Sequence, residues 1–198
     1  FLNKLKLNSK FIYTLLGLIL IVICFLSISR SVSLIKNYDA PFKIYSDLSK
    51  NHKKYENSFK NQNYYKYNVC VGREWYRFPN SYFLPNENYN LAFIKQTEKN
   101  SQLPQYFGNS TSQILPNFND KNEDEISRYI NINDCHYIVD LTNEREIYFP
   151  SSTWELLSEY KFIDTSKSPT LSRAFYIPLY SDKKNKFSSY FLLKNNKK

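Results

Sequence analysis

Phe11 to Ser29 read FIYTLLGLILIVICFLSIS, an apolar run that carries no charge and is bounded by Lys10 and Arg30. At 1.5 Å per helical residue it reaches roughly 28 Å, about one hydrocarbon core, and predicts a single transmembrane helix. A secretory signal peptide has a shorter apolar core followed by small residues at a cleavage site, which LSISRSVS at Leu26 to Ser33 does not supply. The fold question therefore concerns the chain beyond the span.

Outward from the span, Lys4, Lys6 and Lys10 precede it, while Arg30 and Lys36 come after it with Asp39 close by. The positive-inside rule leans slightly toward a cytosolic start and a lumenal remainder. Asn109-Ser110-Thr111 is a glycan-acceptor sequon and agrees with that orientation, although so Asn-rich a chain contains one readily. The chain has 198 residues with Phe1 first and no Met, as expected of a piece of a longer protein. Its length allows one domain beyond the span.

The 27 Lys and Arg against 18 Asp and Glu give a net charge of +9, a balance that suits nucleic acid, anionic lipid or phosphorylated substrates alike. A span ahead of the folded part argues against nucleic acid. The mean hydropathy of -0.56 excludes a polytopic membrane protein for this stretch of chain.

We read residues 1–10 as a cytosolic flank, 11–29 as the span and 30–66 as a juxtamembrane segment and polar tether. Residues 67–194 form a lumenal α/β domain, and 195–198 a tail. The tether rests on Ser49 to Lys66, SKNHKKYENSFKNQNYYK, which shows neither a helical nor an alternating apolar period. Within the domain, Asn68 to Gly72, Leu91 to Lys95, Cys135 to Leu141, Phe162 to Thr165 and Tyr190 to Leu193 read as strands. VCV and YIV are apolar without alternation, the mark of strands covered on both faces. Helices are predicted at Glu74 to Leu84, Glu123 to Tyr129 and Ser152 to Tyr160, the last from Ser-Ser-Thr ahead of Trp154-Glu155. Alternating strands and helices predict three layers around a mostly parallel sheet.

Catalytic templates are missing: the sequence has no GxSxG, P-loop, GxGxxG or paired-His helix, and its three glycines build no phosphate cradle. No Cys/His spacing marks a metal site, and no cofactor is identifiable. Asp134, His136 and Asp140 fall on one face by the two-residue strand period, as an acid–base cluster or as ordinary loop, ring and strand-end residues. Cys70 and Cys135 pair as a disulfide or stay as two buried thiols. Arg73, Glu74, Trp75, Tyr76 and Arg77 come after a strand ending at Gly72, at the sheet edge where α/β domains bind ligands. Arginine grips phosphate in a bidentate fashion and the rings offer sugar platforms, so these five are the candidate substrate-binding residues. The alternative is that Trp75 packs a helix on the sheet while the arginines face solvent.

Four blocks carry a resemblance to a known family: LSISRSV at Leu26 to Val32, VCVGREWYRFPNSYFLP at Val69 to Pro85, SRYINI with CHYIVDL between Ser127 and Leu141, and SRAFYIPLYSD at Ser172 to Asp182. In these the chain resembles the dolichol-dependent mannosyltransferases of glycosyltransferase family 22, most closely the branch adding α-1,2-mannose in asparagine-linked glycan assembly. The resemblance implies a multi-pass enzyme of the endoplasmic reticulum membrane whose last span is Phe11 to Ser29. Its donor would be dolichyl-phosphate-mannose and its acceptor a lipid-linked oligosaccharide. The family's catalytic base sits in an early lumenal loop, so no catalytic residue is carried onto this chain, which is expected to be inactive alone. Related α-1,6 and glycolipid-anchor mannosyltransferases, and a single-pass lumenal glycan- or protein-binding domain without catalysis, are the alternatives.

Overall fold

A computed structural model describes residues 9–59, 66–72, 81–95, 129–142 and 145–196, with backbone alone for 53–59 and 145–146. Two compact units divide the chain: residues 1–39 with 163–187, and residues 40–162 with 188–198.

The first unit is built on α1, Ser9–Tyr38. Its uncharged part is apolar all round and outward-facing, with Leu18, Leu20, Val22 and Phe25 all exposed, and the helix is long and apolar enough to cross a membrane. The same unit contains α4, Thr170–Ala174, and α5, Tyr180–Lys184. Polar side chains lock this second stretch. Ser172 Oγ donates to Asn185 Oδ1 at 2.7 Å, and Asn185 Nδ2 returns a bond to the Ser172 carbonyl at 3.1 Å. Ser172 and Asn185 are both buried, so each satisfies the other where water does not reach.

The second unit opens with α2, Ala40–Phe59. Here the structure corrects the tether, because the helix runs well into the Lys/Asn/Tyr stretch. The apolar period that drives it lies upstream: Ala40, Ile44, Tyr45 and Leu48 are buried at the spacing of one helical stripe and carry the polar residues along. Pro41 sits in the first turn, where a missing N–H breaks no helical bond. The folded part therefore begins near Ala40, ahead of the expected Tyr67.

The strands are β1 Tyr67–Val71, β2 Tyr89–Ile94, β3 Tyr129–Ile130, β4 Tyr137–Leu141, β5 Trp154–Ile163 and β6 Phe187–Asn195, in the order β3-β2-β1-β4-β6-β5. β3, β2, β1 and β4 are mutually parallel, and β6 is antiparallel to β4 with Ile138 opposite Leu193. The bonds Asn196 N to the Thr153 carbonyl and Asp164 N to the Lys186 carbonyl make the β5–β6 pair antiparallel too. The sheet is thus mixed, which corrects the mostly parallel expectation: the segment between β5 and β6 is a turn-and-short-helix connection that returns the chain beside itself, reversed.

The predicted helix at Ser152 to Tyr160 is also corrected, since β5 occupies it. Between the two closing bonds β5 takes eleven steps, Thr153 to Asp164, against ten on β6, Lys186 to Asn196. One extra residue is a β-bulge and switches the inward face of the strand partway along. Trp154 accordingly joins the cluster of Cys70, Ile138, Phe191 and Leu193, while Phe162 stacks on Tyr190 with ring centroids 5.7 Å apart. A strand that changes face loses the period-2 signal by which it would be read.

Of the other expected elements, β1, β2, β4 and β6 fall on the strand readings, and the predicted strand at 162–165 is the end of β5. The predicted helix at 74–84 lies mostly outside the described residues and ends in a 3-10 turn, Ser81–Phe83; the one at 123–129 lies outside them except for Tyr129, which opens β3. A four-residue helix, α3 Arg145–Tyr148, precedes Phe149, which packs on the Cys70 face of the sheet. On the opposite side α2 joins the sheet through Asp47 and His52: Tyr160 on β5 donates its hydroxyl proton to Asp47 Oδ2 at 2.6 Å, and His52 Nδ1 lies 3.1 Å from the Tyr89 hydroxyl.

Candidate functional site

Parallel pairing of β3, β2, β1 and β4 brings their carboxyl ends, Ile130, Ile94, Val71 and Leu141, to one edge of the sheet. Gly72 leaves the sheet at this edge. The candidate substrate residues Arg73, Glu74, Trp75, Tyr76 and Arg77 come immediately after it and lie outside the described residues, as does the sequon residue Asn109. On the described side of the edge, a cavity of about 330 Å³ is lined by Ile94, Ile130, Ile132, Tyr148 and Phe149, with Lys95 and Asn131 as its polar members. Apolar walls with a cation and an amide in the lining suit a ligand with a greasy body and a polar or anionic head. Sequence reasoning missed this cavity because its walls come from strand ends and α3, which are far apart in the chain.

Behind the edge, Cys70 Sγ is bonded to Cys135 Sγ, with the Cα atoms 5.8 Å apart. The bridge ties the middle of β1 to the turn ahead of β4, and both cysteines are fully buried. Disulfides of this kind persist in oxidising compartments.

The opposite, amino-terminal edge gathers both histidines of the chain with three tyrosines. The Tyr67 and Tyr89 rings lie 5.2 Å apart, Tyr67 and His136 5.4 Å, and Tyr89 and Tyr137 6.1 Å. Asn86 Nδ2 lies 3.0 Å from His52 Nε2. Burial, then the neighbouring Tyr137 and Tyr67 hydroxyls, push the Tyr89 phenol well above its ordinary value, so it stays a neutral hydrogen-bonding group. His136 Nδ1 accepts from the Asn68 backbone N–H at 3.1 Å, which fixes the ring beside β1. Asp140 stands near the other end of β4, about 13 Å along the strand, fully buried, with Oδ1 accepting the Leu141 N–H at 2.8 Å. Asp134, His136 and Asp140 are therefore spread along β4 and its entry turn, with His136 and Asp140 each bonded to local backbone. Among the described residues no group of three His, Cys, Asp or Glu side chains is placed to hold a metal.

In the first unit a polar seam joins the lower half of α1 to residues 173–182. Ser33 Oγ donates to the Arg173 carbonyl at 2.7 Å, Arg30 Nη1 to the Ala174 carbonyl at 3.1 Å, and Tyr176 N to the Ser29 carbonyl at 3.1 Å. Ser29 Oγ returns a bond to the Tyr176 carbonyl at 3.0 Å. Asn37 Nδ2 donates to Ser33 Oγ, and Lys36 Nζ donates to the Tyr176 hydroxyl, which in turn donates to Asp182 Oδ2 at 2.8 Å. The stretches LSISRSV and SRAFYIPLYSD are the two sides of this seam.

With the seam, the sheet edge and the disulfide in place, comparison with known proteins assigns a class. The chain matches the model of the Alg9-like mannosyltransferase family over residues 1–85. Over 98% of its length it is similar to the alpha-1,2-mannosyltransferase ALG9 of Homo sapiens, at 38% identity, and of Mus musculus, at 36%. The alpha-1,2-mannosyltransferase ALG9 of Saccharomyces cerevisiae matches 81% of the chain at 33% identity. The chain spans about 31% of the length of the human and mouse relatives and 30% of the yeast one. No solved structure matches it.

Proposed function

We propose that the protein to which this chain belongs transfers mannose from dolichyl-phosphate-mannose to a dolichyl-diphosphate-linked oligosaccharide, forming an α-1,2 linkage during assembly of the N-glycan precursor. The observation that carries the reading is similarity along nearly the whole chain to proteins named alpha-1,2-mannosyltransferase. In the transfer an acceptor hydroxyl attacks the anomeric carbon, the bond from that carbon to phosphate breaks with inversion, dolichyl phosphate leaves, and a base takes the hydroxyl proton. That base belongs to the remainder of the enzyme. This chain contributes a membrane helix, α1, and the α/β domain after it.

The reading places the enzyme in the endoplasmic reticulum membrane as a multi-pass protein, with the domain after Arg30 in the lumen. Support comes from the Cys70–Cys135 bridge, which suits an oxidising lumen, and from the charge balance around α1. Arg73 and Arg77 are assigned to acceptor binding with Glu74 holding one of them, and Trp75 and Tyr76 to sugar stacking; they come after the strand end at the edge where the cavity opens. Asn109 is then a lumenal glycan acceptor. The test is transfer by the full-length protein in detergent, from dolichyl-phosphate-mannose to defined lipid-linked oligosaccharides, with product linkage read by α-1,2-mannosidase digestion. Release of the added mannose by that enzyme supports the reading; an α-1,6 product or no transfer contradicts it.

A further inference from the structure

Along the seam of the first unit, the partners on α1 run backwards as the other side advances. Arg173 meets Ser33, Ala174 meets Arg30, and Tyr176 meets Ser29. Residues 173–176 therefore climb α1 toward its apolar half, and residues 177–181 come next. They form a tight tip: Ser181 N bonds back to the Ile177 carbonyl at 2.8 Å, and Ser181 Oγ to the Phe175 carbonyl at 3.2 Å. The tip is Ile177-Pro178-Leu179-Tyr180, and it is apolar and outward-facing, with Leu179 75% exposed.

Leu179 also has a positive φ of 65°, a backbone region that a branched side chain rarely adopts. Burial of the Leu179 side chain within the unit does not compensate for that strain, since it faces outward. The tip begins one seam residue beyond Ser29, the last residue of the uncharged run, and Phe25 and Ile28 are exposed on α1 above it. Lys183 and Lys184, both exposed, come within the next turn.

We propose that the Ile177–Tyr180 tip docks into the lipid interface beside α1, with Leu179 reaching the acyl boundary and Lys183 and Lys184 meeting anionic headgroups. The inference rests on reading α1 as a bilayer span. The chemistry is that of an interfacial anchor: apolar side chains leave water, an aromatic residue sits at headgroup level, and cations face phosphate. The seam would then hold the tip at a fixed depth.

The test uses the full chain with Cys24→Ala, which removes the free cysteine and leaves the disulfide. A nitrobenzoxadiazole label is placed in turn on Leu179→Cys, Thr165→Cys and Leu20→Cys, in phosphatidylcholine–phosphatidylinositol vesicles carrying a nitroxide at the headgroup or on the acyl chain. Thr165 is an exposed comparison site in the same unit, its carbonyl accepting from Arg173 Nη1. The expected result is headgroup quenching at residue 179 severalfold above that at 165, with blue-shifted emission, and strong acyl-chain quenching at residue 20. Equal, water-like signals at 179 and 165 with residue 20 still quenched would overturn the docking and leave the span intact. A dry but unquenched label at 179 would overturn it in favour of a protein occupant. An unquenched residue 20 would remove the span and the docking together.

Discussion

Opening the Cys70–Cys135 bridge is the perturbation whose size comes most directly from the structure. The cysteines are separated by 65 residues, and closing a loop of that length removes unfolded-state entropy equivalent to about 4 kcal/mol in the chain-entropy treatment. Both side chains are buried between β1, β4 and the Trp154 cluster, so Cys70→Ala/Cys135→Ala also loses a few sulfur contacts and should not fall short of that figure. With a urea dependence on the order of 2 kcal/mol per molar, the midpoint should drop by roughly 2 M. The assay is urea unfolding of the purified chain carrying Trp75→Phe, so that emission reports Trp154 alone, with and without dithiothreitol. Reductant should bring the parent down to the midpoint of the double variant and leave the variant where it is. A midpoint change below about 0.5 M, or a variant still sensitive to reductant, would refute the account of the bridge as a tie between β1 and the turn ahead of β4.

Asp47 supplies a pH test. Burial raises its carboxyl, but hydrogen bonds from Tyr160 and Lys50 outweigh that and hold it below the ordinary value. Its contribution is therefore full above the unfolded value near about 3.9 and is lost as pH falls through the lowered folded value; Tyr160→Phe should flatten that acid limb of the unfolding-versus-pH curve, and an unchanged limb would count against it. In the first unit, Asn185→Leu strands the Ser172 carbonyl and leaves the buried Ser172 hydroxyl only its longer bond to the Pro169 carbonyl, and should cost roughly 1 to 3 kcal/mol, read as faster hydrogen exchange across residues 165–187; adding Ser172→Ala should cost less than the sum of the two. For the substrate assignment, Arg73→Ala or Arg77→Ala in the full-length enzyme should lower transfer about ten- to a hundredfold at unchanged thermal stability, the loss of a charged contact of roughly 1.5 to 3 kcal/mol. Activity within about twofold of the parent would return both arginines to the solvated surface.

How far the sequence could be read depended on whether a segment's pattern was set locally. Val69 to Val71 and Tyr137 to Val139 are covered on both faces, so a continuous apolar run marked them as central strands. Phe11 to Ser29 was equally plain, although the helix continues to Tyr38, where Ser33 and Asn37 are buried against residues beyond 170. β5 was hidden because its bulge turns Trp154 and Phe162 to opposite faces, leaving an acidic, Ser-rich start that imitates a helix cap. α2 was cut short because its apolar stripe ends near Leu48 while the helix goes on through polar residues. The antiparallel half of the sheet had no local signature at all. Neither had the seam: Lys36, Tyr176 and Asp182 come together across 140 residues, and only the family likeness of LSISRSV and SRAFYIPLYSD hinted that its two sides mattered. The cavity at Ile94, Ile130 and Phe149 is a property of strand order, which spacing does not reveal.

The central claim is that the full protein adds α-1,2-mannose to the lipid-linked precursor. Its most direct test is the mass profile of lipid-linked oligosaccharides from cells in which the gene has been deleted and then restored. Deletion should leave a precursor arrested short of an α-1,2-linked mannose, and the restored full-length gene should return the complete species while the 198-residue chain alone should not. A full-length precursor in the deleted cells, or an arrest at an α-1,6 step, would contradict the claim.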